Sequence, residues 1–312
     1  MGSKPSLWAR LKARLSGTHT ALMKSEEHLA AIARSEVHLH NLALLTARAT
    51  EQLGVVMGMM ARQQQREAMA DPRYSDPLRL EPHGFKVHSQ YDEDGIIAEV
   101  FRRIGEKSRI FIEFGAGDGA ENCTGFLLMQ GWHGLWIEGN ETKLDRIRHM
   151  WAPDLAAGRL ALAHAFVTVD TIDDIIGKAG FSGEIDLLTV DLDGNDYHVL
   201  EKIAAVRPRV ICAEYNANIP PQVHWTMARN DSHSWDNVDY RVGVSLKALE
   251  NLLSSRGYAL VGTSFSGVNA FFVDKSLVEG KFAAPFTAEN HYNPWRFFYA
   301  TPYNTLWRGR LT

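Results

Sequence analysis

The residues best placed to do chemistry begin with one short run, Phe111-Ile-Glu-Phe-Gly-Ala-Gly-Asp-Gly119. An apolar strand runs straight into Gly115, Gly117 and Gly119, and glycines here permit a tight turn and close approach of a ligand to the backbone. The next apolar segment, GLWIEGN, ends at Glu138. An acid at the end of a second strand is placed to accept both ribose hydroxyls of an adenosine. The spacing is G-x-G-x-G, not the G-x-G-x-x-G that opens a helix under a pyrophosphate. Two cofactor classes therefore stand open, a dinucleotide and S-adenosylmethionine (SAM). Asp118 and Glu121 beside the turn would repel phosphates and suit a sulfonium and an ammonium, which favours SAM.

A second constellation follows two later strands. Asp191 and Asp193 end one, and Glu214 and Asn216 end the next. In a doubly wound sheet both pairs emerge at the carboxyl edge, where ligands bind. Four oxygen ligands there suit a hard cation, Mg²⁺ or Mn²⁺. Such an ion would lower the pKa of a group bound to it. The plainer alternative gives Asp191 to the ammonium of the cofactor and makes Asp193-Gly-Asn a turn with an N-cap. Methyl transfer to a hydroxyl needs alignment and a base. The polar stretch 216–241 carries His224, Trp225, Asp231, His233, Trp235 and Asp236, and a loop this long reads as a functional lid or a disordered segment. Its flat indoles beside acids, amides and imidazoles suit a sugar. His224 and His233, with His198 behind them, are the candidate bases, against surface or structural roles for each. The aromatic tail 285–312 reads as packing in a core or subunit interface, or as a wall of the substrate site. Cys123 and Cys212 read as packing residues.

The segments SQYDEDGII, FIEFGAGDGAENCT, GWHGLWIEGN, VDLDGNDYHVL and EYNANIPP resemble class I SAM-dependent methyltransferases. More narrowly they resemble FkbM-like and bacterial sugar O-methyltransferases, often found with surface-polysaccharide genes. The resemblance covers roughly residues 85–275 and implies methyl transfer to a sugar hydroxyl. Carried over by position, it implies that Glu113, Gly115 and Gly117 line the methionine part of SAM. Glu138 would hold the ribose, with Gly139 and Asn140 beside it. Ala165 and Phe166 would flank adenine, and Gln90 would close over the cofactor. Asn122 would lie near the carboxylate end, unless it serves as a helix N-cap. Catechol O-methyltransferase and some sugar O-methyltransferases place a divalent metal where Asp191, Asp193, Glu214 and Asn216 stand. FkbM-like proteins commonly carry a glutamate where this chain reads Asp191-Leu-Asp193-Gly194.

These residues must be positioned by alternating strands and helices, and the sequence supplies them. Helices are predicted over 94–104, 122–129, 142–151, 172–179, 197–206 and 246–256. Between them lie apolar strands, RIFIEFGAG, GLWIEGN, LALAHAFVT, IDLLTVDLDG and RVICAEYNA, and a closing hairpin, YALVGTSFSG with NAFFVDK. The expected fold class is α/β, a seven-strand Rossmann-like methyltransferase sheet, mostly parallel with a C-terminal antiparallel hairpin. An N-terminal helical extension spans residues 1–70. Its leucines, Leu22, Leu29, Leu39, Leu42, Leu45 and Leu53, recur at spacings built from 3, 4 and 7. That predicts one long helix or a hairpin of two, used for oligomerisation or folded back on the catalytic domain. Glu36 and Thr46 break a strict coiled-coil register. Residues 71–84, with three prolines, read as a linker before a methyltransferase domain over 85–312.

Composition sets the outer bounds. The 312 residues are 45% hydrophobic and 22% charged, which excludes a disordered chain. A net charge of -4 argues against nucleic acid as partner. Two cysteines are too few for a disulfide scaffold. No apolar run would span a bilayer, and the start lacks the pattern of a secretory signal. A cytoplasmic location is expected. Lys4, Arg10, Lys12 and Arg14, interleaved with Leu7, Trp8, Leu11 and Leu15, would suit peripheral contact with an anionic membrane or a partner. The expected partners are a glycan or sugar acceptor and further copies of the chain. A catalytically weak scaffold in a glycan-assembly complex and an N- or carboxyl-methyltransferase are the competing readings. The four polar groups kept at the strand ends argue for an enzyme, and a metal requirement would count against a nitrogen or carboxylate acceptor.

Overall fold

A computed structural model describes residues 6–233 and 241–296. The chain divides into two compact units, Met1–Met59 and Met60–Thr312. One helix, α1 (Leu7–Met69), runs from the first unit into the second as a single element, not a hairpin. No proline interrupts it, and Pro72 follows its end. Leu15, Leu22, Leu29, Leu39 and Leu53 are each more than half exposed. Among the described residues no helix is long and apolar enough to cross a membrane.

The segment expected as a linker, 71–84, is instead part of the second unit. Pro72 and Pro82 open short 3₁₀ turns, and Tyr74, Leu80 and Glu81 are buried. The Tyr74 hydroxyl donates to Asn293 Oδ1 at 2.6 Å. The prolines stiffen the segment without setting it free, because the apolar residues between them have a core to enter.

The remaining elements alternate as expected. They are α2 (Glu93–Ile104), β1 (Ile110–Phe114), α3 (Gly125–Met129), β2 (His133–Glu138), α4 (Glu141–Met150), α5 (Ala152–Ala156) and β3 (Leu160–His164). There follow α6 (Ile172–Lys178), β4 (Gly183–Val190), α7 (Asp196–Lys202), β5 (Val206–Glu214), α8 (Leu246–Ser255), β6 (Tyr258–Thr263), β7 (Asn269–Asp274) and α9 (Ala288–His291). The strands form one sheet in the order β3-β2-β1-β4-β5-β7-β6. β1 to β5 run parallel and β7 joins β5 and β6 antiparallel. This is the seven-strand α/β sheet with its C-terminal antiparallel pair. Side chains alternate between two apolar layers: Ile112 and Phe114 enter one, Phe111 the other. Burying both faces explains why the central strands read as continuous apolar runs. The order reverses between β1 and β4, so the carboxyl ends of β1, β2, β4 and β5 border one crevice.

Candidate active site

The turn after β1 is built for close approach. Gly115 has φ +69°, and a Cβ there would sit 1.9 Å from the Asp191 carbonyl oxygen. Glu113, at the end of β1, is buried and braces the far side of the loop. It accepts from Cys123 N at 2.9 Å, from Thr124 N at 3.2 Å and from the Thr124 hydroxyl. Trp136 Nε1 donates in turn to Thr124 Oγ1 at 2.7 Å. Burial pushes the Glu113 carboxyl up to about 7, against the pull of those donors. Asn122 is not the N-cap of α3, which Thr124 occupies. Its Nδ2 donates to Ala116 O at 2.9 Å, and its buried Oδ1 has no partner among the described residues.

Glu138 ends β2 and ties the two phases of the crevice together. One oxygen accepts from Gly117 N and the other from Asn140 N, both at 2.8 Å. Each oxygen keeps a second lone pair, which is what two ribose hydroxyls require. Asn140 caps α4 by accepting from Thr142 N and Lys143 N. A Cβ at Gly139 would press on the Phe166 ring at 3.3 Å, and Ala165 N donates to Glu138 O at 3.1 Å. Glu138, Gly139, Asn140, Ala165, Phe166 and His233 line a cavity of about 420 Å³. An adjoining cavity of about 320 Å³ is lined by Glu113, Gly115, Gly117, Asn122, Gln90 and Asn269. Asp191 belongs to both. A glycine wall that a Cβ would close, an acid with free lone pairs and an orphaned amide oxygen fit an adenosine with a methionine tail.

The acids after β4 and β5 are arranged differently. Ligand atoms of Asp191, Asp193 and Glu214 lie within 4.8 Å of one another. Burial and the charges of Asp193 and Asp196 raise Asp191 to about 7. The carboxyl is open to solvent through the cavity yet crowded by protein, and the like charges press in the same direction as burial. Glu214 is raised well above the usual carboxylate range by burial and then by Asp191. Asp193 has φ +54°, a left-handed conformation uncommon outside glycine. The turn is not made by its side chain. Asp196 makes it, accepting from Leu192 N at 2.8 Å and Gly194 N at 3.1 Å. Asp193 is thereby left facing the cavities. Asn216 Oδ1 accepts from Asn218 N and its Nδ2 donates to Val242 O, so its amide organises the loop.

Of the three candidate bases, His233 lines one of these cavities, and its buried Nε2 has no partner among the described residues. The other two expected bases stand elsewhere. His198 Nε2 lies 2.9 Å from Met227 O, and His224 Nδ1 lies 3.0 Å from Asn251 Nδ2. Both are tied to their neighbours, and neither lines the cavities. Trp235 and Asp236 lie outside the described residues, as does the tail from 297.

A third cavity, of about 260 Å³, adjoins these. Gln90, Tyr91, Asp193, Glu214, Asn216 and Trp295 are among its walls. Gln90 is shared with the methionine-side cavity and Asp193 with the adenosine-side one. Sequence reasoning passed over Tyr91 although it follows Gln90. It favoured a core or interface for the tail that brings Trp295 here. It also passed over Lys143, which lines both cofactor-side cavities. Three residues beyond Asn140, on the first turn of a helix leaving β2, Lys143 was open to that inference.

A family model described as the methyltransferase FkbM domain matches residues 162–260, from β3 into β6. No curated protein matches the chain. Among solved structures, an O-methyltransferase from Bacillus cereus in complex with S-adenosylhomocysteine (SAH) is similar at 16% identity and a TM-score of 0.40, over 66% of this chain and 87% of that one. The N-terminal domain of EvdMO1 in the presence of SAH and D-fucose is similar at 16% identity and a TM-score of 0.39, over 67% of this chain and 96% of that one. The methyltransferase domain of bacterial CtHen1-C gives 16% identity and 0.39, over 59% and 97%. The sheet order, the glycine turn beside Glu138 and the family match make the chain a methyltransferase of the class I, SAM-dependent type, similar to the FkbM domain over residues 162–260.

Proposed function

We propose that the catalytic unit is an O-methyltransferase that acts on a sugar hydroxyl of a surface polysaccharide or its precursor. One observation carries the reading. The third cavity meets the cofactor side at Gln90 and Asp193, and it is walled by Tyr91 and Trp295 with amides between. Flat aromatic faces take the apolar side of a sugar, and the Asn218 amide supplies a donor and an acceptor for its hydroxyls. SAM supplies the methyl group on a sulfonium. The protein must align the hydroxyl, keep the site dry and take its proton.

Asp191, Asp193 and Glu214 stand where that proton would go. As acceptor-only carboxylates they would also hold Mg²⁺ or Mn²⁺, whose charge would lower the pKa of a bound hydroxyl. His233 is the nitrogen base on the same wall. Calorimetric titration with SAH, followed by a screen of sugar acceptors with Mg²⁺ and with EDTA, tests the reading. SAH binding with methyl transfer to a sugar supports it. SAH binding with transfer only to an amine or carboxylate would reject the hydroxyl acceptor.

We also propose that α1 joins copies of the chain in the cytoplasm, since its exposed leucines need a partner helix. Deleting residues 1–59 should lower the mass in sedimentation. An unchanged mass would reject self-association, and lost binding to anionic liposomes would give the segment to a membrane surface instead.

A further inference from the structure

Asn269 belongs to no motif, yet it sits where the cofactor's methionine end would lie. It opens β7 and pairs in register with Glu214 of β5. Its side chain is buried and lines the cavity shared by Gly115, Gly117 and Asn122. Its Nδ2 donates to Glu93 Oε1 at 2.9 Å. Glu93, fully buried at the start of α2, accepts through its other oxygen from Tyr91 N at 2.9 Å. This bond gives the nitrogen end of the Asn269 amide to Glu93. The Oδ1 atom is turned away from Glu93 and has no hydrogen-bond partner among the described residues.

Asn122 repeats the arrangement. Its nitrogen is occupied by Ala116 O, and its Oδ1 is buried without a donor. Two amide oxygens lacking donors therefore line one cavity, with the Asp191 carboxylate on the same wall. The Asn122 oxygen is buried without a donor among the described residues, which is costly, and Asn269 lines the same cavity with its oxygen unengaged. A wall of this kind calls for a compact cation carrying several N–H bonds. SAM carries one such group at this end, its α-ammonium.

We infer that Asn269 is a cofactor-binding residue whose amide oxygen accepts from the methionine ammonium, and that Glu93 is the positioning residue that holds this amide oxygen-outward. The inference rests on the SAM reading of the same cavity. Because Glu93 also anchors Tyr91, one buried carboxylate sets a wall of both the cofactor cavity and the acceptor cavity.

The test is calorimetry on the full chain with two ligands, SAH and a desamino analogue with hydrogen in place of the amino group. The native protein should prefer SAH by about tenfold or more, the usual worth of a hydrogen bond to a charged group. Asn269→Ala should weaken SAH by about tenfold and the analogue by less than about twofold. Glu93→Ala should show the same selective loss. Glu93→Gln, whose carbonyl can still accept from Nδ2, should keep most of the preference. Equal loss on both ligands would overturn the inference, as would no loss on either. Equal affinity of the native protein for the two ligands would overturn it without any variant. A native protein that binds neither ligand would remove the SAM reading itself, a separate and recognisable result.

Discussion

At the ends of β1 and β2, Glu113 and Glu138 have their oxygens occupied by protein donors. At the ends of β4 and β5, in the same crevice, Asp191, Asp193 and Glu214 crowd one another, and no Lys, Arg or His among the described residues forms a salt bridge with them. Protein donors hold the first pair in place before any ligand arrives: Glu113 braces backbone, and Glu138 does so while keeping lone pairs for a cofactor. The second group stores like-charge repulsion and an uncommon backbone angle at Asp193. Strain of this sort survives only where the surroundings over-determine it, and it gathers at sites that do chemistry. The difference separates acids that shape the protein from acids left for a substrate or ion.

The sharpest way to break this division is Asp191→Asn. Methyl transfer should fall by about a hundredfold or more, the scale of losing a positioned acid or base. The melting temperature should rise, because one charge leaves a repulsive cluster. Full turnover would sink the site assignment, and a marked loss of stability would erase the contrast with the other pair.

Glu113→Ala should behave in the opposite way. It strands Cys123 N, Thr124 N and the Thr124 hydroxyl in a buried place. The expected cost is about 2–3 kcal/mol, read from chemical denaturation with an unchanged m-value. A cost below about 0.5 kcal/mol would mean that the brace is not structural.

How much of this was legible in the sequence follows the same division. The alternation of strands and helices, the glycine turn and Glu138 could be read, because local pattern dictates them. The role of Glu113 could not, since its donors come from Cys123 and Thr124, and only the loop's path brings them back. Asp193 and Asp196 are alike in sequence, yet one faces the cavities and the other makes the turn. Proline content suggested a linker at 71–84, whereas Tyr74 and Leu80 are drawn into a core assembled from distant segments. His198 and His224 could not be separated from His233 before the fold placed them.

The buried acids at the start of α2 extend the comparison to pH. Burial and the neighbouring Glu93 raise Asp92 to about 7, from an ordinary value of 3.8. Between those values the folded protein keeps a proton that the unfolded chain has released, so stability falls as pH rises through that window. Below it both states are protonated, and above it both are charged. Asp92→Asn removes this component while an amide oxygen can still accept from Phe265 N. The melting temperature of the variant should fall less than that of the native protein between about pH 5 and about pH 7. An identical slope would show that Asp92 titrates normally in the folded chain.

The smallest expected effect tests whether the adenosine side is as complete as it looks. Asn140 caps α4 through Thr142 N and Lys143 N, while its own N–H donates to Glu138 Oε1. Asn140→Ala removes the cap and keeps the backbone donor. The loss should be about 1 kcal/mol of stability, the usual worth of an N-cap. SAH affinity should change by less than about threefold, because Glu138 keeps both of its donors and its free lone pairs. If affinity collapses while stability barely moves, the side chain of Asn140 itself meets the cofactor. That result would move one residue from the group that shapes the crevice to the group that waits for a ligand.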